Sequence, residues 1–194
     1  MTELPDKQAL TQYLAQHRNW PPGPPPGVTP EPVGEGEESV WDFPRPPRLE
    51  DVASTLKVVF AGQVIAETTS GHRMRETAGA PVYLFPPEDV QMAALKLIDG
   101  KVSVCEWKGA CLYYDLELDG QHSAEAAFTY PDPIDDLNQG YEKIGGHIAF
   151  YASRVDAAFI GDEQVTPQPG GFYAGWVTKN LRGPIKGAPG SNSW

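Results

Sequence analysis

Between Cys105 and Tyr114 the chain gathers a thiol, an indole, an ammonium and two phenols: Cys105-Glu106-Trp107-Lys108-Gly109, then Cys111-Leu112-Tyr113-Tyr114. A thiolate is a strong nucleophile, and an ammonium beside it favours that ionised form. Cys105 is therefore the candidate catalytic residue. It is weighed against a plain core cysteine on the inner side of a strand, the more usual role. No histidine lies near it in sequence to serve as a base, since His72, His122 and His147 stand elsewhere. A tetrahedral zinc site needs four Cys or His in paired short spacings. Two cysteines six residues apart and scattered histidines do not supply one, so neither a metal nor a cofactor is expected.

The charge balance narrows the partners. Lys and Arg number 15 against 26 Asp and Glu, a net charge of −11. Such a chain repels nucleic-acid backbones and anionic membranes at long range, so neither is expected as a partner. Against that background Arg45, Arg48, Lys108 and Lys186 each stand beside Trp, Phe or Gly-Pro punctuation. Arg offers a planar fork for carboxylate or phosphate, and Lys a point charge. Tyr83, Trp107, Tyr130, Tyr151 and Trp176 bring rings, most with polar tips, the usual lining of small-molecule sites. One reading is an aromatic-walled pocket with a cationic end, taking a small anionic or cyclic polar ligand. The other makes the rings the core of a small β domain and Lys108 with Glu76 a structural ion pair. A third possibility is a protein partner held through residues 21–48, which combine a proline-rich tract with the Trp41–Arg48 arm.

The elements that must position these groups are short. Asp6 to Arg18 reads as a helix, with Asp6 as its cap and Leu10, Tyr13, Leu14 and His17 on one face. Residues 21–38 hold Pro24-Pro25-Pro26 and an acidic Gly-Glu run, an extended linker. The organisation is thus a helix over 1–20, a linker over 21–38 and a β-rich domain over 39–194. Within the last, β-branched runs at Leu56–Phe60 and Val64–Thr69 meet at Ala61-Gly62 in a hairpin. Strands are also expected at Pro81–Phe85, Val102–Trp107, Leu112–Leu118, Ala124–Tyr130, Gly146–Ser153, Ala157–Ile160, Glu163–Val165 and Phe172–Thr178. One inner helix is expected over Glu88 to Ile98 behind Pro86 and Pro87. The connections are too short for crossovers, so the domain is mainly β, compact and antiparallel. The N-terminus lacks a signal-peptide pattern and no apolar run reaches the roughly 18 residues that span a bilayer. A soluble, cytoplasmic protein with free thiols is the expectation.

Several segments also carry a resemblance. They are Ser39-Val-Trp-Asp-Phe-Pro-Arg-Pro-Pro-Arg48, Glu76-Thr77 with Pro81-Val82-Tyr83, Cys105-Glu-Trp-Lys-Gly109 and Tyr130-Pro-Asp-Pro133. Ile148-Ala-Phe-Tyr151, Gly171-Phe-Tyr-Ala-Gly-Trp176 and Gly183-Pro-Ile-Lys-Gly-Ala-Pro-Gly190 complete the set. Over roughly Glu38 to Trp194 the chain resembles the domain of unknown function 427 family. The resemblance implies a β-rich fold grouped with the β-tent folds. Some members of that grouping hold small ligands in aromatic cages, and many carry a zinc for which this chain has no ligands. The family also bears a nucleotidyltransferase label. Nucleotidyl transfer needs carboxylates holding two metal ions about 3.5–4 Å apart. The one dense acidic cluster here, Asp132, Asp135 and Asp136, follows no glycine-rich phosphate loop and reads as a solvated loop. Leu84 stands where many members have a second Tyr, Cys111 for a small Ala, Ala174 for a Gly and Ile185 for a Phe. The Leu84 difference removes one phenol from any shared pocket.

Overall fold

Runs of β-branched and aromatic residues cut by Gly and Pro leave little chain for helix. The computed structural model describes residues 2–18 and 23–191, and it is mainly β. Its α-helix among those residues is α1 (Lys7–His17). The strands are β1 (Glu38–Ser39), β2 (Arg48–Asp51), β3 (Leu56–Phe60), β4 (Gln63–Thr68), β5 (His72–Arg75), β6 (Val82–Phe85), β7 (Leu95–Cys105) and β8 (Gly109–Leu118). They continue with β9 (Gln121–Thr129), β10 (Ile148–Phe150), β11 (Ala157–Ile160), β12 (Glu163–Gln164), β13 (Thr166–Pro167), β14 (Trp176–Val177) and β15 (Leu181–Arg182). A seven-stranded sheet runs β2-β5-β6-β10-β9-β8-β7, and a four-stranded one runs β12-β11-β3-β4. Both are antiparallel throughout. The β13–β14 ribbon is antiparallel as well, whereas β1 and β15 pair in parallel. The β3–β4 hairpin turns at Ala61 and Gly62, whose φ angles of 52° and 70° are the left-handed pair that a tight two-residue hairpin requires.

Side-chain parity gives the large sheet two different faces. Tyr83, Phe85, Ile148, Phe150 and Leu116 point one way and pack with Leu56, Val58, Phe60, Ile65 and Ala158 of the smaller sheet. Trp176 lies fully buried among them, stacked 5.1 Å from Tyr83, its indole N–H donating to the Phe150 carbonyl at 2.9 Å. Met74, Leu84, Phe128, Ala149 and Cys111 point the other way, into a second apolar cluster with Trp107, Tyr130 and Tyr141. Both faces being covered, β6 reads as a continuous apolar run, Val-Tyr-Leu-Phe, rather than an alternating one.

The inner helix expected over Glu88 to Ile98 does not form. Pro87–Asp89 and Met92–Ala94 are single 3-10 turns, and Leu95 opens the long strand β7. The helical spacing of Val90, Ala94, Leu97 and Ile98 is overridden by an antiparallel ladder that pairs Leu95 with Leu116 and Leu97 with Tyr114. β2 and β5 were also not legible as strands, because charge dominates them. Arg73 bonds Glu38 and Glu50 at 2.9 Å each, and Arg75 bonds the same two carboxylates. That cross-strand network, with one arm on β1, replaces an apolar stripe.

The first helix forms where it is expected and docks. Asp6 caps it, accepting from the Ala9 amide at 2.7 Å, and Leu14 is buried. At its end Arg18 donates to the Glu106 carbonyl at 2.6 Å and to both Asp136 oxygens at 2.8 and 2.9 Å, with its guanidinium 5.5 Å over the Trp107 ring. Within the linker, Pro21 and Pro22 lie outside the described residues. Glu31 beyond them exchanges two bonds with Gly183, amide to carbonyl at 2.8 Å and amide to carboxylate at 3.1 Å. Of the extended C-terminal run, residues 192–194 also lie outside the described part.

Arg18→Ala removes charged hydrogen bonds from a nearly buried guanidinium, so it should free α1 by about 1–3 kcal/mol, seen as faster amide hydrogen exchange across Lys7–His17 with the sheets unaffected. His147 gives a pH signature. Burial, and then His72 at 5.3 Å, hold its pKa below the ordinary histidine value. The unfolded chain therefore binds the proton first, and the stabilisation is complete above about pH 6.5 and lost as pH falls through the window beneath it. Urea midpoints should drop between about pH 7.5 and about pH 5.5, and drop less in His147→Gln.

Candidate functional site

The segment from Glu76 to Pro81, between β5 and β6, collects both ends of the domain. The Ala78 amide donates to the Val40 carbonyl at 2.9 Å, and the Thr77 hydroxyl to the Phe43 carbonyl. The Thr77 carbonyl accepts from Arg45 at 3.3 Å. From the C-terminal side, the Lys186 amide donates to the Ala78 carbonyl at 2.8 Å and the Trp176 amide to the Pro81 carbonyl at 2.9 Å. Buried Gln168 binds the two strands of chain together, accepting from the Ala80 amide at 2.9 Å and donating to the Lys186 carbonyl at 2.8 Å. Residues 168–174 and 183–191 cross at Gly170 and Gly187. A Cβ on Gly170 would stand 2.3 Å from the Gly187 carbonyl oxygen, and one on Gly187 would stand 2.0 Å from that of Pro169. Only glycine fits such a crossing, and Gly187 also holds a φ of 105°.

Between this crossing and the open face of the large sheet lies a cavity of about 640 Å³. Its floor is Met74, Leu84 and Phe128, with Cys111 and Tyr113 beside them, and Tyr173 and Ala174 lie across from these. Arg45, Glu76, Lys108 and Lys186 line it around the 76–81 segment. Four residues before the end of β7, Lys101 pairs with Glu125, and Glu125 pairs with Arg154 at 3.4 Å. The Arg154 guanidinium lies 4.7 Å over the Tyr151 ring.

Lys108 is only 6% exposed. Its ammonium lies 5.4 Å over Tyr130 and 5.9 Å over Tyr141. Burial acts to strip its proton, but Cys105, Glu76 and Glu106 outweigh that and hold its pKa above the ordinary lysine value. It is an ammonium at neutral pH. Tyr130 is driven well above the ordinary phenol value by burial first and by Cys105 next. Burial pushes the Cys111 thiol up to about 12, so it stays protonated. Both cysteines are free thiols.

Seven of the residues singled out by sequence line this cavity: Arg45, Glu76, Cys105, Lys108, Tyr130, Tyr151 and Lys186. Four do not. Arg48 is exposed on β2. Tyr83 lies on the opposite face because its neighbours Val82 and Leu84 occupy the cavity face, and Trp176 is packed against it in the inter-sheet core. Trp107 sits one layer behind the wall, its indole N–H donating to Glu76 Oε1 at 3.1 Å while Arg18 covers its ring. Lining residues that the sequence reading did not single out include Tyr113, Phe128 and Gln168. Register places Tyr113 directly across from Phe128 on the cavity face, so strand parity signals both. Gln168 has no local signal.

The Trp41–Arg48 arm is not displayed. Trp41 and Phe43 are buried with Val40, Ala78, Ala80 and Leu181, and the Trp41 indole donates to the Pro184 carbonyl at 3.1 Å. Asp132 pairs with Lys7 and Asp136 with Arg18, while Asp135 accepts from the Gln139 and Gly140 amides at 2.7 and 2.9 Å. Among the described residues no group of three His, Cys, Asp or Glu converges as a metal-holding set. No helix among them is long and apolar enough to cross a membrane.

A large antiparallel sheet, sealed by a smaller sheet on one face and hollowed on the other beneath a glycine crossing, defines a mainly β domain with a cavity on that second face. Residues 48–161, from β2 to β11, match the model of the family described as Domain of unknown function (DUF427), and the chain belongs to that family. Comparison with curated proteins finds no match. Arg45, Gln168, Tyr173 and Lys186 lie outside the matched span, so the cavity joins a floor within it to walls beyond it.

Gly187→Ala sets a side chain against backbone in a left-handed conformation. It should cost at least about 1–3 kcal/mol, read as a lower urea midpoint.

Proposed function

We propose that the protein binds a small anionic molecule with a cyclic or apolar body in this cavity. The observation that carries the reading is the meeting of Arg45, Lys108 and Lys186 around one hollow of about 640 Å³ in a chain of net charge −11. That volume lies in the range typical of small-molecule sites, and so does an apolar floor with a few convergent polar groups. Holding an ammonium in a nearly dry wall is unfavourable unless it is paired or hydrogen-bonded. Here Cys105 and Glu76 compensate Lys108 without hiding it from the cavity. Arg45 and Lys186 supply further positive charge, suited to a carboxylate or phosphate. The alternative, a docking module for a protein built on residues 21–48, has less behind it, since Trp41 and Phe43 are turned into the domain.

The test is a thermal-shift screen of the full chain with aromatic and alicyclic carboxylates, phosphates and nucleotides. At about a hundred times its dissociation constant a true ligand adds about 2.7 kcal/mol, a clear rise in melting temperature. The rise should be confined to anions and lost in Lys186→Met and Lys108→Met. No shift with any compound would sink the reading.

A further inference from the structure

We propose that this cavity holds an elongated diacid, with one acidic group at Lys108, the other at Arg154 and Lys101, and an apolar middle between them. This rests on the cavity being an anion-binding site and adds the shape and charge of its ligand. A row of rings with a cation at each end carries the inference. The Lys108 ammonium lies 5.4 Å over Tyr130, and Tyr130 meets Phe128 edge-on at 5.9 Å. Phe128 meets Tyr151 at 5.6 Å, and the Arg154 guanidinium lies 4.7 Å over Tyr151. A branch runs from Phe128 to Tyr113 at 6.2 Å, with the Lys101 ammonium 5.2 Å over that ring. Every member of the row lines the one cavity. Strand geometry sets its length. Lys101 and Cys105 stand four residues apart on β7, about 13 Å at about 3.3 Å per residue. Lys108 returns beside Cys105, because the tight turn pairs Cys105 with Gly109.

Each end keeps donors that have no protein acceptor. Lys108 is 6% exposed, and among the described residues its nitrogen makes no hydrogen bond and no salt bridge, meeting the rings of Tyr130 and Tyr141 instead. A ring face attracts a cation through its quadrupole and leaves the formal charge in place. A buried ammonium still needs acceptors for its three N–H groups. At the far end Glu125 is shared between Lys101 and Arg154, one carboxylate against two cations. Arg154 bonds from Nη1 alone, to the carbonyls of Ala124 and Glu125 at 3.1 and 2.8 Å and to Glu125 Oε2 at 3.4 Å. Among the described residues its Nε and Nη2 carry no hydrogen bond to the protein. The charge distribution agrees, since the lining takes five of the chain's 15 Lys and Arg but three of its 26 Asp and Glu. A monoanion answers one end and leaves the other without an acceptor. Two acids on a body of matching length answer both, and the body lays its apolar surface against Phe128 and the rings beside it.

The full chain is titrated by calorimetry, at fixed ionic strength, with paired probes. Pimelate, azelate and sebacate are set against heptanoate, nonanoate and decanoate, and a biphenyl dicarboxylate against its monocarboxylate. At least one diacid should bind about tenfold or more tightly than its monoacid, the effect expected of a second charged hydrogen bond. That comparison is made on the wild type and needs no variant to fold. Arg154→Gln and Lys101→Met should each shrink the diacid-to-monoacid ratio, and Lys108→Met should weaken both members of a pair. No diacid exceeding its monoacid, or a ratio that survives Arg154→Gln and Lys101→Met alike, would overturn the proposal. If monoacids, phosphate or nucleotides bind while the diacids gain nothing over them, the two-ended ligand falls and the anion-binding reading stands. If none of these anions binds, that reading falls and the diacid falls with it.

Discussion

Everything at the cavity depends on the backbone polarity of six residues, Glu76 to Pro81. A loop cannot be buried unless its amides and carbonyls are satisfied. This loop is satisfied from outside itself, by Val40, Arg45, Gln168, Trp176 and Lys186. Those partners come from segments that flank the β2–β11 span at both ends of the chain. The need to pair one buried loop thus draws the N-terminal arm and the C-terminal return to the same place. Lys186 is brought to the cavity by its own backbone bond to the loop, and Arg45 by a guanidinium bond to the Thr77 carbonyl. The positive charge at the wall is thus brought there by the pairing of the loop.

The same economy governs the sheet. A strand buried on both faces must choose which residues face the core and which face the hollow, and parity makes that choice all at once. On β6 it sends Tyr83 and Phe85 to the core and Val82 and Leu84 to the cavity. On β8 it sends Leu116 to the core and Cys111 and Tyr113 to the cavity. A shift of one residue in the β8–β9 register would exchange Cys111 and Tyr113 for Leu112 and Tyr114. The core face would then receive a thiol in place of the Leu112 side chain, and Leu116 would turn out of it. The packing of the two sheets therefore enforces the chemistry of the opposite face.

Which features were legible in the chain follows from whether their cause is local. The first helix, with Asp6 as its cap, and the Ala61-Gly62 hairpin are set by neighbours in sequence, and both were readable there. So was the chemical content of Cys105 to Lys108, because a tight turn keeps those groups together. The first part of β7 was not, since its pattern up to Ile98 suits a helix and the deciding partners, Leu116 and Tyr114, come some 20 residues later, whereas its end from Val102 was readable as strand. Tyr83 and Trp176 show the limit for a site. Their residue type suits a pocket wall, but parity and a buried bond to Phe150 turn them into core. Gln168 shows the opposite limit: its role exists only after residues 80 and 186 have met.

These origins divide the cavity into parts of different stiffness. Its floor and its inner corner, from Met74 through Cys105 to Tyr130, are held by sheet ladders and by the short β7–β8 return. Its far wall, residues 168–174 with Lys186, is loop, held by the Gln168 bonds and the Gly170–Gly187 crossing. Phe172 on that wall is 77% exposed, against a floor that is almost wholly buried. Ladders open only with the whole sheet, whereas loops with few buried contacts open locally. The cavity is open to solvent beside exposed Val104 and Phe172, and the wall with more local freedom is the loop wall. Lys108 and Tyr130 belong to the rigid side, where their mutual geometry does not depend on the loop.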